Sequence, residues 1–174
     1  MTLKLKTDHK KNKVASFAEV WECPTTKDKS LHATVDFFPG EVLSSFGARE
    51  ILAEPNYLSL QTAEHQHILL DPEFLQYINH SCDPNVYFDT TNMIVTALRK
   101  IGIGEELTFF YPSTEWSMDR GFDCHCGSHN CLRIIQGAAH LPLNVLKEYK
   151  LSQYIQEKLA QVDGNTPTIS LEYL

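Results

Sequence analysis

The sequence predicts a mostly-β domain of α+β type, built from small curled sheets. Three observations predict it. Apolar residues alternate with polar ones over short runs, the period of a half-buried strand. Turn-forming clusters such as Phe38-Pro39-Gly40-Glu41 and Ile101-Gly102-Ile103-Gly104 separate those runs at short intervals. Apolar residues at helical spacing over several turns occur only near the C-terminus. At 174 residues, 43% of them hydrophobic and 21% charged, the chain fits one domain with a substantial core.

Residues 1–13 carry Lys4, Lys6, Lys10, Lys11 and Lys13 with no apolar stretch behind them, so they read as a flexible tail rather than a secretory signal. Residues 14–22 form the first strand, with Phe17, Glu19 and Trp21 alternating with Ala18 and Val20. A second strand spans 31–35, and 42–46 returns after the glycine turn. Residues 48–56 read as irregular or a short helix closed by Pro55. Strands at 57–62 and 67–70 flank a turn. Asp71-Pro72-Glu73 has the chemistry of a helix start, Asp as cap and Pro in the first turn, so 74–78 is a short helix. Residues 86–88 and 93–97 form a hairpin, 106–110 a final strand, and 112–123 a loop. Leu151, Ile155 and Leu159 recur between Pro142 and Gly164, which predicts one amphipathic helix over 142–162. Its apolar face packs on the domain, with a dimer contact as the alternative. The remainder to Leu174 is a loose tail.

A net charge of −7 argues against nucleic acid as a direct partner and suits a basic peptide. No apolar run reaches the length of a membrane helix. The cysteines fall at Cys23, Cys82, Cys124, Cys126 and Cys131. An odd count with three clustered argues against a disulfide framework and for a metal site in a reducing, intracellular compartment, cytoplasmic or nuclear.

Three blocks carry the chemistry. Asn79-His80-Ser81-Cys82-Asp83-Pro84-Asn85 gathers amides, an imidazole, a thiol and a proline with no aliphatic side chain; alone it reads equally well as an Asx/Pro turn. Gly104-Glu105-Glu106-Leu107-Thr108-Phe109-Phe110-Tyr111 follows, then Cys124-His125-Cys126-Gly127-Ser128-His129-Asn130-Cys131. Three thiolates so close in sequence want a fourth soft ligand to complete a tetrahedral zinc site, and Cys82, His125, His129 and Cys23 are candidates.

In that order the blocks resemble the SET-domain family of protein-lysine methyltransferases, over roughly residues 14–136. Residues 79–85 resemble the family's Asn-His-Ser-Cys-x-Pro-Asn motif. Residues 105–111 resemble its Glu-Glu-Leu-Thr-Phe-Asp-Tyr motif, with Phe110 where aspartate is usual. Residues 124–131 resemble the Cys-x-Cys-x4-Cys of the post-SET segment. The resemblance implies a SET fold with a pseudoknot at the Asn-His motif. It divides the chain into a tail (1–13), a SET domain (14–120), a post-SET zinc segment (121–136) and a C-terminal helix with tail (137–174). It implies S-adenosylmethionine and zinc as cofactors, and Cys82 as the ligand that joins Cys124, Cys126 and Cys131. Tyr111 takes the place of the tyrosine beside the reacting centre, Tyr57 that of a further channel tyrosine, and Phe109 that of the residue tuning the product, here toward di- or trimethylation. Asn79, His80 and Tyr111 resemble the family's cofactor contacts, together with Ser30, Leu31, His32 and Leu132. The implied partner is a lysine-containing protein or peptide, histone or other, bound by a monomer or homodimer away from any membrane.

The chemistry agrees with these residue types. A neutral amine must attack a sulfonium methyl in line, and a free lysine holds its proton up to about 10.4. An apolar, aromatic channel favours loss of that proton and alignment supplies much of the rate, so no charged triad is demanded. The sequence departs from the family where Asp28-Lys29-Ser30-Leu31-His32-Ala33 lacks the usual Gly-x-Gly, where Gln76 replaces an arginine, and where Leu132-Arg133 replaces Arg-Gly. A reshaped loop or weaker cofactor binding is expected from the missing glycines. The alternatives are a SET-like module that binds basic peptides with little turnover, and a methyltransferase of a small amine or non-histone substrate.

Overall fold

The computed structural model describes residues 9–164. Its first sheet begins where a tail was expected. Strand β1 (Lys10–Lys13) pairs antiparallel with β2 (Ala18–Glu22), which pairs with β3 (Lys29–Ala33). Every β1 residue is exposed, so no apolar alternation announces it. Cross-strand contacts hold it instead: the Lys11 ammonium sits 3.8 Å from the Trp21 ring centroid and 3.7 Å from Glu19. The turn into β3 places Lys27 at φ 66, while β3 itself is regular and needs no glycine. A paired strand therefore stands where the family's Gly-x-Gly would lie.

Strand β4 (Val42–Ser45) joins a three-stranded sheet in the order β4-β10-β9, where β9 (Val86–Asp89) and β10 (Ile94–Ala97) form the expected hairpin. Asp89 closes its turn by accepting from the Thr91 and Asn92 N–H groups. A third sheet has the order β5-β7-β6, with β5 (Gly47–Leu52), β6 (Ser59–Ala63) and β7 (Gln66–Asp71). Residues 47–52 are thus a strand rather than irregular or helical. Its mostly exposed edge position and the register shift between Ala48 and Glu50 erase the period that would have revealed it. Tyr57 and Leu58 belong to the turn before β6, not to the strand. Asp71 ends β7, and Pro72 occupies the cap of a 3-10 turn over Glu73–Tyr77.

Strand β8 (Asn79–His80) lies parallel to β11 (Thr108–Phe109), which is all of the predicted 106–110 strand that pairs in a ladder. The Ser81 and Asn85 N–H groups donate to Phe109 O and Thr108 O, at 3.0 and 3.1 Å. The Asn85 amide donates to Glu105 Oε1 and Glu106 O, and its Oδ1 accepts from Thr108 N. The Asn-His motif is thereby stitched along its length to the Glu-Glu-Leu-Thr block. Strands β12 (Phe122–Asp123) and β13 (Ile134–Ile135) bracket the cysteine segment.

The single predicted C-terminal helix is two, α1 (Leu143–Leu146) and α2 (Gln153–Gly164). Ser152 breaks the run by capping α2, its hydroxyl accepting from Ile155 N at 3.3 Å. The link between them is held by its own contacts: Tyr149 stacks on Phe110 at 3.7 Å and Tyr87 donates to Leu151 O. The main core gathers Leu31, Phe88, Ile101 and Leu107 from the sheets, and another cluster packs Phe110 with Ala138, Leu146 and Ile155. The expected tails over 1–8 and 165–174 lie outside the described residues. No helix among those described is long and apolar enough to cross a membrane.

Candidate active site and cysteine cluster

A cavity of about 360 Å³ opens beside the end of β11. Tyr57, Leu60, Phe109, Tyr111, Met118 and Phe122 line it, so the structure brings all three predicted catalytic residues to one wall. Phe109 and Tyr111 lie 4.7 Å apart between ring centroids, with Phe88 behind Phe109 at 4.7 Å and Phe122 6.0 Å from Tyr111. Burial pushes the Tyr111 phenol well above its ordinary value, with the Glu115 and Glu106 charges adding to it, so this tyrosine stays protonated. Tyr57 differs: it is 84% exposed and stands at the rim.

Sequence reasoning missed the buried acid of the wall. Glu115 is 6% exposed and lines the cavity. Its Oε1 accepts from the Gln61 backbone N–H at 2.8 Å and the Thr114 hydroxyl at 3.1 Å. Gln61 reciprocates with its side chain, Oε1 accepting from Trp116 N at 2.8 Å. Burial pushes the Glu115 carboxyl up to about 7, with those two hydrogen bonds pulling it back. Nothing in the local sequence marks it, because its burial depends on a strand 54 residues away.

Asn79 and His80 adjoin this wall. Tyr111 N donates to His80 Nδ1 at 3.3 Å, which assigns the ring proton to Nε2, 3.3 Å from Cys82 Sγ. Burial pushes His80 down to about 4, so the ring is neutral. The Asn79 amide donates to Lys29 O and Glu106 Oε1. That ties it to β3, where Ser30 Oγ meets His32 Nε2 at 2.9 Å, His32 Nδ1 donates to Gly104 O at 3.0 Å, and the imidazole stacks on Trp21 at 3.8 Å. Leu31 is wholly buried and its carbonyl accepts from Leu107 N, so its side chain serves the core.

The Cys82, Cys124, Cys126 and Cys131 sulfurs all lie within 4.8 Å of one another. A tetrahedron with arms of about 2.3 Å has edges of about 3.8 Å, so the cluster is close to a zinc-sized site. Cys82 and Cys124 sulfurs are 4.0 Å apart. His125, His129 and Cys23 are not members. Burial pushes the Cys124 thiol up to about 11 and Cys82 beyond it, whereas burial at Cys126 is outweighed by hydrogen bonding, chiefly from Ser128, which brings it down to about 6; a cation joining the four sulfurs would hold them as thiolates. Leu132 N donates to Cys82 Sγ at 3.4 Å, the outer contact that a thiolate ligand wants. Tyr149 and Asn130 both donate to Cys82 O, fastening the cluster to the link between the helices.

The sequence profile of the SET domain family matches residues 5–112. The chain belongs to the SET domain family. Among its relatives, Methyltransferase flvH of Aspergillus flavus is 36% identical over 168 residues, covering 86% of this SET protein and 92% of the relative. The histone-lysine N-methyltransferase of Candida albicans specific for H3 lysine-36 is 35% identical over 98 residues, 53% of this chain but 10% of that one. The chain thus spans nearly all of the Aspergillus relative and a small part of the Candida one. In the crystal structure of KRYPTONITE with mCHH DNA, an H3(1-15) peptide and SAH, 30% of that chain superposes on 70% of this one, with a TM-score of 0.55 and 21% identity, which shows a shared SET fold. The methyltransferase family and the mostly-β SET architecture are therefore established. The cysteine cluster fits the zinc segment that the resemblance implied.

Proposed function

We propose that this SET protein transfers methyl groups from S-adenosylmethionine to a lysine side-chain amine of a protein or peptide, histone or other, and carries it to the di- or trimethyl state. The observation that carries the reading is the shared wall: Tyr111 and Phe109 line one aromatic cavity, and the Asn79-His80 strand abuts it through Tyr111 N. S-adenosylmethionine supplies the electrophilic methyl. The chain's own residues do the rest. The aromatic cavity disfavours the ammonium form and aligns the nitrogen lone pair. The Tyr111 hydroxyl, kept protonated by burial, orients that nitrogen. Phe109, lacking a hydroxyl, leaves room for methyl groups already added. Asn79, His80 and Leu132, with Ser30, Leu31 and His32 presented by β3, are the proposed cofactor surface, of which Leu31 contributes packing beneath it. Cys82, Cys124, Cys126 and Cys131 would hold zinc, which contributes structure by tying β12 and β13 to the Asn-His motif.

Another reading, methylation of a small amine, is favoured by coverage: the relative matched over 92% of its length is named only as a methyltransferase. One experiment addresses both. Radiolabelled S-adenosylmethionine is offered with core histones, a lysine-containing peptide and free lysine, and products are weighed by mass spectrometry. Label on histone or peptide lysine, advancing beyond one methyl, is expected. Label on free lysine alone replaces the protein-lysine reading with the small-amine one. Binding of S-adenosylmethionine without transfer to any amine overturns both. Tyr111→Phe should abolish transfer while leaving cofactor binding intact.

A further inference from the structure

Among the charged residues lining the cavity that Tyr111 and Phe109 help to build, Glu115 is buried while Asp119 and Arg120 are exposed, and an acid is costly in its position. A buried carboxyl survives when it is well bonded or has work to do. Glu115 is bonded at one oxygen only: both donors, Gln61 N and Thr114 Oγ1, meet Oε1, and among the described residues no donor meets Oε2. No lysine, arginine or histidine forms an ion pair with it among those residues. The carboxyl is placed with care. Glu115 N donates to Tyr111 O at 3.0 Å, so one tight turn delivers phenol and carboxyl to the same cavity. The backbone is pinned again from outside by Ala138 N, which donates to Glu115 O at 2.8 Å.

We infer that Glu115 receives the substrate's ammonium group in this cavity and takes its proton, leaving the neutral amine that attacks the methyl donor. The inference rests on the amine-methylation reading above and adds a catalytic residue to it. The step balances. The R–NH₃⁺ nitrogen loses a proton, its N–H bond breaks, an O–H bond forms on Glu115, and the lone pair released on nitrogen then forms the bond to the methyl carbon. Each further methyl demands the loss of another proton, so the acid must return its proton to water between transfers, and an affinity near neutrality suits that cycle. The titratable and charged groups around Glu115 are Tyr111 on its own turn, Tyr154 from α2, His67 across the strand from Gln61, and Asp119 and Arg120 from the loop lining the cavity. Asp119 and Arg120 are bridged to each other at 4.0 Å.

The test uses the full chain and n-butylamine as probe. Binding is measured by titration calorimetry at a pH above the range in which Glu115 titrates, in two buffers of different ionisation enthalpy, so that protons released are counted. The wild type is expected to bind the ammonium with no proton passed to buffer, because Glu115 keeps it. Glu115→Gln retains a carbonyl oxygen for the Gln61 and Thr114 donors, so it folds, but it cannot take a proton. It is expected to bind at least about tenfold more weakly or to release one proton per amine bound. Equal affinity and equal proton count in the two proteins overturn the inference. Should Glu115→Gln fail to fold, Glu115→Asp, which keeps the acid, replaces it and is expected to preserve the wild-type proton count; a proton released there overturns the proposal. The methyl-transfer screen is read separately. Glu115-dependent binding without transfer retains the amine site and refutes the methylation reading. Transfer with Glu115-independent binding does the reverse.

Discussion

Glu115 makes a prediction at the scale of one residue that needs no substrate. Its carboxyl titrates near 7 in the folded chain against an ordinary 4.5, because burial penalises the charged form. Between those values the folded chain holds a proton that the unfolded chain has lost. The stability this group contributes is therefore complete below about 4.5 and drains as pH rises through about 7. A shift of this size is worth roughly 3 kcal/mol at about 1.4 kcal/mol per unit. Glu115→Gln should match the wild type in urea at about pH 4 and exceed it by up to this amount at about pH 8. A constant difference across that range would show that the carboxyl titrates normally. The spacing of Phe109 and Tyr111 within their motif was readable from the chain alone. The burial of Glu115 was not, since an acid between a threonine and a tryptophan resembles any loop acid until Gln61 covers it.

Among the elements, the turn leading to the C-terminal segment depends on one glycine. Gly137 sits at φ +113, and a Cβ added there would lie 2.6 Å from Trp116 O and 2.9 Å from Ser117 Cα. That close approach lets Ala138 N and Ala139 N reach Glu115 O and Trp116 O, at 2.8 and 2.9 Å. Both the conformation and the space exclude a side chain, so Gly137→Ala should lose roughly 1–3 kcal/mol, read as a lowered midpoint of thermal unfolding. It should also loosen the Glu115 wall. Strand β1 has no buried residue, and β5 is a mostly exposed edge with a shifted register, so neither shows a period of two. The spacing of Leu151, Ile155 and Leu159 predicts one continuous helix, and it is the Ser152 hydroxyl, accepting from Ile155 N, that caps α2 and sets it apart from α1. Phe110, which departs from the family's aspartate, stacks on Tyr149, and Tyr149 in turn donates to Cys82 O. The substitution and the broken helix are two parts of one contact.

Across the molecule, the cysteine cluster links the segment after Asp123 to the Asn-His motif through Cys82. A zinc held there stabilises the folded state alone, so its removal costs the free energy of that linkage. Chelation should speed amide exchange in β12, β13 and the 124–132 segment, while β6, β7, β9 and β10 keep their protection. Uniform loss of protection would mean that the metal organises the whole domain, and no change would mean that the four thiols suffice without it. Cys82→Ser should reproduce the chelated pattern.

The order of the three motif blocks, the alternation of the core strands and the clustering of Cys124, Cys126 and Cys131 were sufficient to point to the SET family, the mostly-β class and three clustered sulfurs, because each is a local pattern or a choice of residue type, whereas Cys82 came from the resemblance alone. What only folding decided is which side chains face one another. Hydrogen bonds from β6 to residue 115, from the helix link to Cys82, and from β8 to Tyr111 join positions 54, 67 and 31 residues apart. Burial, and with it the proton affinity of Glu115, arises from those long-range contacts, and no window of neighbouring residues contains them.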